Sequence, residues 1–353
     1  MKTAVVLFNL GGPDNLSSVK PFLFNLFNDP AIINWPKPLR VPLAKLISTA
    51  RAGKARAMYR QMGGKSPILE QTMAQAAALE KQLATGGEYK VFVSMRYWHP
   101  QSNAVAKKVR SYAPDRILLL PLYPQYSTAT TGSSFADWDR VCNEIGLATP
   151  TARICCYPAA RAFIAGHAKL IRDVYWKAAE RGKPRVLFSA HGLPESVVAA
   201  GDPYAWQVAK TVASIVQVLA IDDLDYAVCY QSKVGFLPWL GPSTLEEIKE
   251  AGRENLPVLV VPVSFVSEHV ETLVELDKIY RRQAEKHGAN GYWRAPALGT
   301  EPLFIEALAG LCRENVEGVH SFAPGRQCPW EFSQCPCGAE TDAESEEDDA
   351  AAA

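Results

Sequence analysis

The sequence predicts an α/β protein made of doubly wound parallel sheets in two domains. Seven short apolar runs are nearly continuous rather than alternating, as in strands buried on both faces of a parallel sheet. Helix-like stretches separate them, giving the strand–helix–strand cadence of such folds. The length, 353 residues, is too great for one ordinary core and ample for two.

The first run, AVVLFNL from residue 4, follows a single Lys and ends at Gly11-Gly12-Pro13. It is too short for a signal peptide and no small-residue cleavage site follows, so a first strand is expected. The glycine turn lacks the G-x-G-x-x-G and G-K-[ST] patterns of phosphate loops and reads as a strand-to-loop turn. YKVFVSMRY near 89 and RILLLPLY near 116 supply two more strands. ARICCYP near 152, RVLFSAH near 185, YAVCYQS near 226 and VLVVPVSFV near 258 supply the last four. Helices are expected over 66–84, 102–113, 159–180, 203–220 and 243–252. The first three strands are assigned to an N-terminal domain, 1–150, and the last four to a C-terminal domain, 151–315. A helical segment near 303–318 closes the second domain or bridges back to the first. Residues 316–338 form a cysteine-bearing extension, and 339–353 read as an acidic, disordered tail with no aromatic to bury.

Lys plus Arg equals Asp plus Glu, 37 each, so no global field would recruit nucleic acid, and no nucleic-acid motif is present. No stretch approaches about 18 uncharged apolar residues, so no membrane span is expected. A cytoplasmic location follows, and in that reducing compartment the eight cysteines are not expected to form a disulfide framework. The stretch 21–47, rich in Phe, Leu, Ile and Trp with basic residues and Pro breaks, reads either as a hydrophobic lip for peripheral membrane contact or as cleft packing. Oligomeric state is not legible.

In doubly wound folds ligands bind outside the carboxyl ends of the strands, so chemistry is sought just after each one. RVLFSA runs into His191-Gly192-Leu193-Pro194, which puts an imidazole at the crevice rim beside a glycine that admits close approach. A lone His is more often structural than catalytic. VLVVPVSFV ends at Ser267-Glu268-His269, with Ser267 as a plausible N-cap. At helical spacing Glu268, Glu271 and Glu275 line one face, fit for a cation path or proton relay, or for a solvated acidic face. The segment 230–242 mixes polar groups with Phe and Trp239, a wall for a flat aromatic ligand or simple loop packing. Cys328, Cys335 and Cys337 in CPWEFSQCPC suggest a metal, with Cys155 or Cys156 able to supply a fourth thiolate; incidental thiols are the alternative.

Together these segments resemble the ferrochelatase family. The matching pieces are LFNLGGPD, GGKSPI, MRYWHP, YPQYSTATTGSS, LFSAHGLP, GDPY, YQSKVGFLPWLGP and SFVSEHVETLVELD, in family order across about residues 3–315. The resemblance implies two Rossmann-like domains with a porphyrin cleft between them. It implies insertion of ferrous iron into protoporphyrin IX, with His191 and Glu271 as catalytic pair and contacts for the incoming Fe²⁺. Glu268, His269 and Glu275 would form a proton or metal path. Leu10, Tyr97, Arg140, Trp239 and Phe265 would line the porphyrin pocket, and Ser232 would hold a propionate. The cysteine tail is similar to that of a bacterial subset carrying a [2Fe–2S] cluster. The animal version is excluded, because Gly166 stands where its internal Cys would fall. The internal ligand is then Cys156 or Cys155, with a lean to Cys156, and strand alternation points the two to opposite faces. The rivals are a coproporphyrin ferrochelatase or another tetrapyrrole chelatase, and, outside enzymes, a haem- or iron-binding sensor on the same scaffold.

Overall fold

A computed structural model describes residues 1–235, 237–316, 322–323 and 325–338. The expected acidic tail, 339–353, lies outside the described residues. The strands are β1 Lys2–Asn9, β2 Glu88–Met95, β3 Arg116–Pro121, β4 Thr151–Ile154, β5 Arg185–His191, β6 Tyr226–Gln231, β7 Val258–Pro262, β8 Tyr292–Arg294 and β9 Phe322–Ala323. The helices that matter below are α1 Val19–Phe27, α2 Lys37–Arg60, α3 Ile68–Leu83, α4 Ser102–Tyr112, α5 Ser133–Ile145, α6 Arg161–Ala179, α7 Glu195–Ala199, α8 Tyr204–Leu219, α9 Thr244–Arg253, α10 Arg281–Lys286 and α11 Pro302–Asn315. A π-helix, Glu271–Tyr280, precedes α10.

The strands form two all-parallel sheets, ordered β2-β1-β3-β4-β9 and β6-β5-β7-β8. Both expected Rossmann-like sheets are therefore present. One assignment is corrected: β4 pairs with β3 through Ile117, Leu118 and Leu119, so it belongs to the first sheet, and the changeover falls after Ile154. β9 then returns from the extension to pair with β4. An apolar strand sequence says that it is buried but does not name its partner, so the fourth run's sheet is not fixed by its own residues.

In each sheet the order of strand addition reverses beside its first strand, between β1 and β3 and between β5 and β7. Such switch points open crevices at the carboxyl ends. Leu10 follows β1 and His191 ends β5, so each crevice carries a residue singled out from the sequence. The helices α3, α6, α8 and α11 share one buried cluster with both sheets, joining Val5, Leu7 and Leu118 to Phe188, Leu259 and Val261. α11, Pro302–Asn315, packs on both α6 and α3 and so bridges the halves.

The stretch 21–47 is mostly α1 and the start of α2, with Pro36 at the N-cap and Pro42 inside the helix. Pro near a helix start leaves no needed donor unpaired. Ile32, Trp35, Leu39 and Leu46 are nonetheless exposed. No helix among the described residues is long and apolar enough to cross a membrane.

Candidate active site

β5 delivers His191 at the register of Gln231 on β6. Its Nδ1 lies 2.6 Å from the Gly192 carbonyl, an acceptor, so Nδ1 carries hydrogen and Nε2 faces outward. That Nε2 is 3.5 Å from Glu271 Oε1. The other oxygen, Glu271 Oε2, is 3.4 Å from His269 Nε2, and His269 Nδ1 is anchored in the same way, 3.1 Å from the Ser267 carbonyl. One carboxylate thus lies between two imidazoles, both held by backbone carbonyls.

Burial disfavours charge on His191, but the adjacent Glu271 carboxylate more than offsets it and raises the imidazole to about 9. Burial opposes charge on Glu271 as well, and the two imidazoles reverse that, holding its carboxyl well below the usual range. The resting pair is an imidazolium–carboxylate at neutral pH. This differs from a free, neutral His poised near its ordinary value of about 6.5. Glu275 goes the other way: burial and the neighbouring Glu271 charge raise it, against hydrogen bonds from Ser232 and Tyr280.

The π-helix explains the arrangement of this row. Its i→i+5 pattern brings Tyr280 beneath Glu275, whose Oε1 accepts from the phenol at 3.0 Å. No 3.6-residue reading would pair those positions. Ser267 is not an N-cap, because the helix starts after Val270 and the Ser267 hydroxyl donates to Gln75 at 3.0 Å. Glu268 also leaves the row. Its Oε1 accepts from Arg294 and from the Ala297 N–H at 2.9 Å each, while Arg294 forks onto Asp277 at 2.7 and 2.8 Å. It sits before the first turn, where helical spacing does not apply.

The pocket residues divide. Leu10 and the buried Tyr97 join Val19, Phe22, Leu23 and Val270 in one apolar cluster, which lies against the start of the π-helix. Tyr97 donates to Asp29 at 2.8 Å and is fixed in place. Trp239 lies 6.4 Å from the His191 ring, and the bare Cα of Gly192 gives it room: a Cβ there would stand 3.1 Å from the indole. Phe265 packs on His269 at 4.7 Å. Arg140 does not join them. It lies on the outer face of α5, more than half exposed, paired with Asp137 and Glu144, while Ser133, Phe135, Trp138 and Val141 face inward. The Ser232 hydroxyl is already committed, donating to Glu275 at 2.5 Å.

A model of the ferrochelatase family matches residues 2–316. The chain belongs to the ferrochelatase family. It is 49% identical to a ferrochelatase of Pelagibacter ubique over 96% of this chain and 99% of that one. A ferrochelatase of Caulobacter vibrioides is 51% identical over 95% and 97%. In fold it is similar to SirB from Bacillus subtilis with Fe³⁺, at a TM-score of 0.52 and 14% identity over 90% of this chain and 96% of that one. Within the family frame Gln231 and Tyr280 are additions that the sequence did not flag. Gln231 Nε2 stands 3.4 Å from both the Glu271 carbonyl and Glu275 Oε2, but a Gln closing a strand carries no distinguishing signal.

A second constellation lies at the end of β4. The sulfurs of Cys155, Cys335 and Cys337 are within 4.8 Å of one another, and all three residues are largely buried. Cys328 lies beside Cys335 and accepts from Gln207 Nε2 at 3.1 Å. The thiol grouped with the tail is Cys155, against the lean to Cys156. Hydrogen bonds from the neighbouring thiols pull Cys335 far down and leave Cys155 raised, as when one thiolate is shared by a knot of sulfurs.

Proposed function

We propose that the chain inserts ferrous iron into protoporphyrin IX, giving protohaem and releasing the two pyrrole protons, the final step of haem biosynthesis. The observation that carries this reading is the His191–Glu271–His269 array at a switch-point strand end, beside an apolar wall of Leu10, Tyr97, Val270 and Trp239. Insertion exchanges two N–H protons for one dication, so the site must approach a cation and remove protons. Glu271, held anionic, draws the cation. His191 accepts a pyrrole proton once its own has left, and its raised proton affinity makes it the stronger base. Glu275, which holds a proton more readily than Glu271, is the next station outward, with Ser232 and Tyr280 bonded to it. Glu268, bound to Arg294, is outside this path.

The test is anaerobic incubation of the purified protein with Fe²⁺ and either protoporphyrin IX or coproporphyrin, followed by haem absorbance. Insertion into coproporphyrin alone would favour the rival substrate. Binding of iron or haem without insertion would favour the sensor.

We read Cys155, Cys328, Cys335 and Cys337 as the ligands of a [2Fe–2S] cluster, and the chain as one of the bacterial subset with a cysteine-bearing C-terminus. The support is the donor set itself: largely buried thiols brought together from just after β4 and from a distant tail, with Gln207 donating to one sulfur. Such a group would supply a one-electron centre and a staple between β4 and the tail, and no step of insertion passes through it. Exposed Trp35, Leu39 and Leu46 keep peripheral membrane contact as part of the reading.

A further inference from the structure

The inward face of α3 is apolar at Ile68, Ala76, Leu79 and Leu83, yet Gln75 sits on it with no exposure. A purely structural demand there would be met by an apolar side chain, since a buried amide is costly unless its groups are bonded. Gln75 bonds three times, always to the opposite domain. Its Nε2 donates to the Val266 carbonyl at 2.9 Å and to the Gly299 carbonyl at 3.0 Å, and its Oε1 accepts from the Ser267 hydroxyl at 3.0 Å. Gln71, one turn earlier, accepts from the Glu268 N–H at 2.7 Å. The two acceptors of Gln75 are themselves joined, the Gly299 N–H donating to the Val266 carbonyl at 2.9 Å.

The segment so held, 266–268, is the stem of the active-site array. The Ser267 carbonyl holds His269 Nδ1, His269 Nε2 meets Glu271, and Glu271 meets His191. At the far end of the π-helix Lys278 donates to the Gln61 carbonyl at 2.7 Å, so the first domain grips that element at both ends.

We propose that Gln75, with Gln71 beside it, is a positioning residue for metal insertion: a clamp from the N-terminal domain that sets His269 and Glu271 against His191. The proposal rests on the reading of that array as the insertion centre. A displacement of about 1 Å at a reacting group can cost about 100-fold in rate. Gln75→Leu keeps the volume and removes all three bonds.

The experiment measures zinc insertion into protoporphyrin IX by fluorescence for the parent, Gln75→Leu, Gln71→Leu and Ser267→Ala, with ¹⁵N-histidine NMR on each. Gln75→Leu is expected to lower kcat by about 10- to 100-fold with porphyrin KM within about twofold, and to shift the His269 ring resonances. Ser267→Ala, which removes one bond of the clamp, is expected to do the same more weakly. A folded Gln75→Leu with parental kcat and unmoved His269 resonances would overturn the clamp, whatever its Tm. If Gln75→Leu does not fold, parental kcat in both Ser267→Ala and Gln71→Leu overturns it. A parent that inserts no metal would refute the reading of the site, and the His269 resonances would still decide the clamp.

Discussion

Replacing Glu271 by Gln removes one charge between two imidazoles and changes little else. Burial alone would lower His191, and the Glu271 carboxylate, with smaller help from the Gly192 carbonyl and Glu275, outweighs it to give the rise to about 9. In a sealed site the variant would bring His191 back toward its ordinary value of about 6.5, a fall of at most about 2.5, since the Gly192 carbonyl and Glu275 remain. The His191 side chain is 36% open, and water screens part of that interaction. A fall of about 1–2 units is therefore expected. Because His191 is raised and Glu271 lowered in the folded state, the pair's stabilising contribution fades in acid as Glu271 protonates, is full between about pH 4.5 and 6.5, and fades again as pH rises through about 9. The parent's Tm should fall more steeply across that window than the variant's. In kcat/KM for zinc insertion the acid limb reports the free enzyme's base, so it should move to lower pH in Glu271→Gln as the maximal rate drops. Histidine NMR titration gives the same midpoint independently. An acid limb and an NMR midpoint both unmoved by the substitution would refute the ion pair as the source of His191's basicity.

His191→Ala should lower metal insertion by about 100- to 10,000-fold while porphyrin binding, read by fluorescence quenching, stays within a few-fold; parental turnover would remove His191 from proton transfer. Cys335→Ser or Cys155→Ser, purified without air, should lose the visible absorption of a thiolate-bound iron centre, whereas Cys142→Ser, outside the sulfur knot, should keep it; an unchanged spectrum in Cys335→Ser would refute the assignment. Asp202 is fully buried and accepts from Ser127 Oγ at 3.0 Å, Thr128 N and Oγ1 at 2.8 Å and Tyr204 N at 3.0 Å, tying the loop after β3 to the start of α8. Asp202→Ala should cost about 2–4 kcal/mol in urea unfolding, because several donors lose one shared acceptor, and a cost below about 1 kcal/mol would contradict that account.

The strands were legible because burial on both faces leaves a continuous apolar run. Helices such as α3 and α8 were legible from their 3.6-residue periodicity. The partner of β4 was not, since pairing is set by neighbours far along the chain. α1 and α2 were masked by Pro30, Pro36, Pro38 and Pro42, which look like breaks, though Pro30 falls between helices, Pro36 and Pro38 at the start of α2, and Pro42 inside it. At the site, the identities of His191 and Glu271 came through the family segments, but their shared charge state did not, because it arises from a contact across 80 positions. The acidic row shows the limit most clearly. Glu268, Glu271 and Glu275 read as one helical face, yet Arg294 takes the first, and the π-helix keeps the other two together over Tyr280. Those two carboxyls then diverge, Glu271 held anionic by its imidazoles and Glu275 raised by burial and by Glu271 itself. A row of equivalent carboxylates would give a proton no direction. In the insertion path proposed above the unequal pair gives it one: charge stays beside the imidazoles, where the incoming cation would arrive, and the proton settles one step farther out.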